Sequence, residues 1–213
     1  MAKLTNGIFG GMTGTIGNLV SYTLNGQQIL RGKAAPSNKP ATVKQLHKRQ
    51  QMTVLSSFFK GMSDFLKTGF APRATGTPKN YYNLAVEYNM PHALKGDYPD
   101  IAIAYDHVIL SKGTLPGVLN PAVTWVTEGL KFTWENLNGT HWPHAEDQVM
   151  LLAYNASKNK HFFIQNGAKR NRGWDILDIP ASMQQEQFEL YISFVSNDRS
   201  EVANSQYIGS IKS

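Results

Sequence analysis

The sequence predicts a mainly β protein with helices, an α+β chain in which an N-terminal β-hairpin and two helices precede an antiparallel seven-stranded β-sandwich. Three observations predict it. Asn25-Gly26 separates two runs of alternating character, apolar positions recur at helical spacing from Leu55 to Leu66, and beyond Ile101 short alternating runs are parted by turn pairs such as Glu128-Gly129 and Asn138-Gly139. A chain of 213 residues that is 41% hydrophobic has material for a core, and 18 glycines with 11% aromatic residues suit strands and turns.

Each element follows from its residues. Gly7, Gly10, Gly11, Gly14 and Gly17 crowd the opening segment, which can bend sharply or let another backbone approach closely. No GK[ST] follows them, so they read as a bulged edge strand or an arm that orders against a partner. Leu19 to Leu24 and Gln27 to Arg31 flank Asn25-Gly26, and that two-residue turn places Tyr22 opposite Ile29 and Val20 opposite Arg31. A lone ribbon is marginal in water and must lie on something else. Thr42 followed by Gln45 fits a capping box, and Leu55, Phe58, Phe59, Met62 and Leu66 form the buried stripe of one helix that Gly69, Pro72 and Gly76 end. A second helix is expected with Thr77 as N-cap and Pro78 first, running to Pro91.

Ile101 to Leu110 is expected as a strand, and Gly113 to Pro121, with two glycines and two prolines, as the connection between domains. Residues 1–115 would then be a basic, Gly-rich hairpin and helical region, and 120–213 a sandwich. Its strands are expected at Ala122 to Thr127, Leu130 to Glu135, Gln148 to Asn155, His161 to Gln165, Trp174 to Ile179, Gln187 to Val195 and Gln206 to Ile211. Phe188, Leu190, Ile192 and Phe194 alternate with Gln187, Glu189, Tyr191 and Ser193, which predicts one buried face and one wet face.

The charge is divided unevenly. Residues 1–80 hold 11 Lys/Arg and one acid, Asp64, for +10, whereas 81–213 hold 10 bases and 14 acids, for −4; together they give the net +6. Lys44, Lys48 and Arg49 crowd the first turns of the first helix, where cations oppose the helix dipole unless a partner anion relieves them. No run approaches 18 apolar residues, which excludes an ordinary transmembrane helix, and no secretory signal is read near Lys3. A cytoplasmic product is expected, or one that reaches a virion or leaves by lysis or unconventional export.

Little in the sequence suggests chemistry. Without cysteine there is no disulfide, thiolate metal site or cysteine nucleophile. His141-Trp-Pro-His144 with Glu146 and Asp147 is the densest grouping of metal-ligand types, but Pro143 and Asn138-Gly139 place it in a loop and no third histidine stands at a recognised spacing. Asp106 and His107, adjacent in the expected strand, would point to opposite faces and form no dyad. The expectation is a protein with no catalytic residue, no metal and no cofactor.

The phrase Leu130-Lys-Phe-Thr-Trp-Glu-Asn136 with Trp134, the Leu177-Asp-Ile-Pro180 turn-in and the strand Phe188 to Asn197 resemble a fibronectin type III module. That resemblance implies a spacer or binding platform. The Ala2 to Gly11 opening, the Gly14-Thr-Ile-Gly-Asn18 phrase and the Pro36-Ser-Asn, Thr42, Gln45 and Arg49 spacing resemble, over nearly the whole chain, a bacterial family known only as a domain of unknown function. The same order of parts is similar to small proteins encoded among the virion structural genes of tailed phages, although Lys39-Pro40 interrupts the phrase.

Self-association is the function these features predict: Gly10, Gly11, Gly14, Gly17, Tyr22, Asn25, Gly26, Arg31, Lys33, Lys44, Lys48 and Arg49 meet the acidic part of a neighbouring copy, head to tail. One alternative gives the same residues to nucleic acid, with cations on phosphates and Tyr22 stacking. Another makes Trp125, Trp142 and Trp174 a platform for a glycan or peptide.

Overall fold

A computed structural model describes residues 3–4 (as backbone), 10–24, 26–36, 38–136 and 144–212. Gly7, Asn25, Asn138-Gly139, His141 and Trp142 lie outside them. The chain is mainly β with three helices among the described residues, and it divides into two compact units at Thr42/Val43.

The first unit is an antiparallel meander of β1 (Lys3–Leu4), β2 (Met12–Ile16), β3 (Leu19–Leu24) and β4 (Gln27–Gly32). Tyr22 pairs with Ile29 and Val20 with Arg31, the register that a two-residue turn dictates, and Gly26 takes φ +80. The glycine arm supplies a third strand, β2, so the hairpin is not a lone ribbon.

The second unit opens with α1 (Val43–Phe59), α2 (Ser63–Ala74) and α3 (Tyr81–His92), where two helices were expected. The first expected helix breaks at Gly61, whose φ of +93 stops α1. Met62 and Leu66 stay fully buried across the break, so the stripe carries on in phase and conceals it. Gly69 and Pro72 lie inside α2, and Gly76 follows its end. Gly69 is a packing glycine: a Cβ there would sit 2.3 Å from the Leu110 carbonyl oxygen. Asn80, not Thr77, caps α3, its side chain accepting from the Asn83 amide at 2.8 Å, while the Thr77 hydroxyl donates to Ala74 O. Pro91 falls in the last turn of α3 rather than after it.

The expected strand from Ile101 to Leu110 is reduced to β6 (Ala102–Ile103), paired with β5 (Leu94–Lys95). Tyr105–His107 then form a 3₁₀ turn, and the remaining backbone is satisfied by side chains. The Asn89 amide imitates a strand neighbour, accepting from Ile109 N at 2.8 Å and donating to Ile109 O at 2.7 Å; Ser205 Oγ accepts from Leu110 N.

Strands β7 (Ala122–Val126), β8 (Gly129–Thr133), β9 (Gln148–Asn155), β10 (Lys160–Ile164), β11 (Trp174–Asp178), β12 (Gln187–Val195) and β13 (Gln206–Lys212) form two antiparallel sheets, ordered β11-β8-β7 and β10-β9-β12-β13. Leu130, Phe132, Val149, Leu151, Phe188 and Ile192 belong to one cluster between them. The other face of the four-stranded sheet is not wet. Met150, Leu152, Tyr154, Tyr191 and Val195 join Leu55, Phe58, Phe65 and Phe70 of the helices in a second cluster. Buried polar groups on that face are hydrogen-bonded: Tyr191 Oη donates to Tyr105 O at 2.8 Å, Tyr207 Oη to Glu189, and Ser193 Oγ meets Ser111 Oγ at 2.7 Å.

Nor is 113–121 a linker. A Cβ on Gly113 would lie 2.1 Å from Val202 O, and Leu115 and Val118 are buried in the inter-sheet cluster. The expected boundary between 115 and 120 therefore runs through packed structure, because the helices complete the core of the sheet that follows them.

Candidate functional site

Register assigns the small sheet two faces. Ile16 and Leu19 are opposite each other, Ser21 faces Gly14 and Leu30, and Leu19 faces Gly32, so these share one face. Ile16, Leu19 and Leu30 are 52%, 44% and 57% exposed. Ser21 lies buried among them and donates to Met12 O at 2.6 Å, and Gln28 Nε2 donates to the same carbonyl and to Ser21 Oγ. Tyr22, Leu24 and Arg31 occupy the opposite face and are exposed too. Among its described residues this unit contains no buried apolar cluster of its own.

The glycines open this surface further. Gly14 and Gly17 take φ +118 and +54, and nothing among the described residues lies within 4 Å of a Cβ built on Gly17, Gly26 or Gly32. Gly10 and Gly11 lead into β2, and Lys33 follows β4, its amide donating to Asn18 O at 2.7 Å. Residues 1–42 contain Lys3, Arg31, Lys33 and Lys39 and no acid.

α1 carries the other expected cations. Lys44, Lys48 and Arg49 are exposed, no acid stands in the first turn, and no residue of the helix before Leu55 is buried. Lys48 Nζ donates to Gln51 Oε1 at 2.9 Å. These cations face water at the positive end of the helix dipole, where an anion would be favourable.

Trp125 and Trp174 do not share a platform, and Trp142 lies outside the described residues. Trp125 pairs with Leu130 and packs edge-on against Phe188, so it faces the inter-sheet core, where its indole N–H is buried without a hydrogen-bond partner among the described residues. Trp174 pairs with Thr133 on the outer face, covered by the Arg172 guanidinium at 3.8 Å and by Lys131 Nζ at 4.9 Å.

The acid and histidine groupings form local pairs. Asp106 and His107 do meet, Oδ1 to Nδ1 at 3.1 Å, because the 3₁₀ turn places adjacent side chains on one side where a strand would have separated them. The hydrogen bond from His107 holds the Asp106 carboxyl below its usual range, and both groups are exposed. His144 Nδ1 lies 3.4 Å from Asp147, and Glu146 pairs with Lys169. No group of three or more metal-ligand side chains occurs among the described residues.

Arg170, which the sequence did not single out, organises this region. Its guanidinium donates to Gly117 O at 2.9 Å and Pro116 O at 2.8 Å, lies 3.5 Å from Asp147 and 3.6 Å over the Phe194 ring, and its carbonyl accepts from Trp134 Nε1. Burial lowers its pKa to about 10 and raises that of Asp147, which Arg170 and His144 pull back. His161 was also missed. Its Nε2 lies 2.8 Å from Phe58 O at the end of α1, its ring stacks on Tyr154, and burial lowers its pKa. The only sequence hint was the Lys158-Asn-Lys-His161 run in a turn.

Fold and surface together define an α+β protein in which a small, basic, two-faced sheet precedes a β-rich body with a helical layer. Residues 11–209 match the model of a family of unknown function (DUF6266), and the chain belongs to that family. Among curated proteins and solved structures, none matches it. No helix among the described residues is long and apolar enough to cross a membrane.

Proposed function

We propose that the protein is a non-enzymatic structural component that self-associates through its basic, Gly-rich N-terminal part, building rings or filaments of the kind found in a virion. One observation carries the reading: β2 to β4 expose Ile16, Leu19 and Leu30 on one face and Tyr22 and Leu24 on the other. A sheet with apolar side chains on both faces and no core of its own gains by burial against another chain, at roughly 25 cal/mol per Å² of apolar surface. The absence of acids in 1–42 favours a neighbour's acidic surface, where Glu128 and Asp178 are exposed at the end of β7 and β11. Such a contact between unlike surfaces repeats head to tail. The order β11-β8-β7 facing β10-β9-β12-β13 supports the further reading of the body as a fibronectin type III-like sandwich that spaces these contacts.

Light scattering on the full chain tests the proposal. Assemblies that fall apart in the double variant Leu19→Glu, Leu30→Glu are expected; a monomeric wild-type chain at high concentration overturns it. Nucleic-acid binding is the second reading, favoured by Tyr22 and Arg31 sharing an exposed face without an acid. It predicts salt-dependent retardation of DNA or RNA, and no retardation at low salt eliminates it.

A further inference from the structure

The Lys60-Gly61-Met62 break between α1 and α2 faces the turn between β9 and β10, and a cleft of about 550 Å³ opens there. Lys60, Lys158 and Lys160 line it. Lys158 is held by Glu186 at 2.7 Å, whereas neither Lys60 nor Lys160 forms an ion pair among the described residues. The cleft thus carries about two uncompensated positive charges. Phe162, Pro180 and Met183 contribute apolar lining, Phe162 from the face of β10 opposite His161.

His161 adds a directed polar atom. A carbonyl can only accept, so the 2.8 Å contact with Phe58 O places a hydrogen on Nε2. Nδ1 is left facing Gly61, where a Cβ would come within 3.4 Å of it. The ring cannot turn away without losing both the Phe58 bond and its stack on Tyr154 at 4.8 Å. With no side chain at Gly61, the rim stays open beside that nitrogen.

We propose that this cleft binds a phosphate monoester with an apolar body. Two lysines lacking acid partners match a dianion, whereas a monocarboxylate would leave one charge unanswered. The apolar lining at Pro180 and Met183 takes the ester's body, and the volume is within the range of small-molecule sites. A bound dianion stabilises the imidazolium of His161, so occupancy and His161 protonation are linked.

The test is calorimetric and NMR titration of the full chain with phenyl phosphate at low salt, beside inorganic phosphate and phenol. Saturable binding of phenyl phosphate is expected, tighter than inorganic phosphate, and it should move the His161 titration to higher pH. The double variant Lys60→Gln, Lys160→Gln should weaken it at least about tenfold with the urea midpoint unchanged, since both lysines are exposed. Absence of saturable binding, binding indifferent to the double variant, or equal affinity for inorganic phosphate overturns the proposal.

Discussion

Residues 120–213 on their own should fail to fold, although they contain every strand of both large sheets. Without the helices, Met150, Leu152, Tyr154, Tyr191 and Val195 lose their cover on one face of the four-stranded sheet. At about 1.5–3 kcal/mol for each buried side chain, exposing these five costs roughly 10 kcal/mol. A domain of this size has only about 5–15 kcal/mol in total. Ser193 also loses Ser111, and the Tyr191 hydroxyl loses the Tyr105 carbonyl. The comparison is between fragments 43–213 and 120–213, followed by near-ultraviolet circular dichroism, size-exclusion chromatography and urea unfolding. The longer fragment should unfold cooperatively, and the shorter should aggregate or lack a near-ultraviolet signal. A monomeric 120–213 with a sharp urea transition would refute the claim that the helical layer completes the core.

Other positions give sharper single-site tests. Arg170→Met strands Asp147 in the interior and frees two backbone carbonyls, so a loss of about 3–5 kcal/mol is expected in urea titrations. Because the folded pKa of Asp147 is raised, its contribution is present at acid pH and lost as pH rises through that value. The variant should therefore be less damaging near about pH 4 than at neutral pH, and adding Asp147→Asn should recover part of the loss. Asn89→Ala leaves both Ile109 backbone groups unpaired, for an expected loss of about 2–5 kcal/mol by thermal or chemical unfolding. His161 has a lowered folded pKa, so its contribution is present above the ordinary histidine pKa and lost on acidification towards the folded value. Unfolding free energy should fall between about pH 7 and pH 5, and the slope should flatten in His161→Gln.

Local signals were legible in the sequence. Asn25-Gly26 fixed the pairing of Tyr22 with Ile29 and of Val20 with Arg31, and alternation placed β7 to β13 within a residue or two. What escaped was decided by neighbours. Glu189, Tyr191 and Ser193 look like a solvated face, and nothing local reveals that a helical layer supplies their hydrogen-bond partners. Gly61 broke a helix whose apolar stripe stays in phase on both sides. Ile101 to Leu110 reads as a strand, but its later backbone is answered by Asn89 of α3 and by Ser205 in place of neighbouring strands. At the candidate surface, the cations and glycines were readable from their spacing. The exposure of Leu19 and Leu30 needed the structure, as did the opposite facing of Trp125 and Trp174.

β12 is buried on both sides from Phe188 to Val195, with one cluster taking Phe188, Leu190, Ile192 and Phe194 and the other Tyr191 and Val195. A strand with one wet face can drift in sequence on that face, but this one has none. A single inserted residue would exchange the two sets and send each side chain beyond it into the wrong interior. Within the family, length changes should therefore collect in turns and spare β12, and replacements at Tyr191 should be accompanied by changes around Tyr105 rather than in β7, β8 or β11.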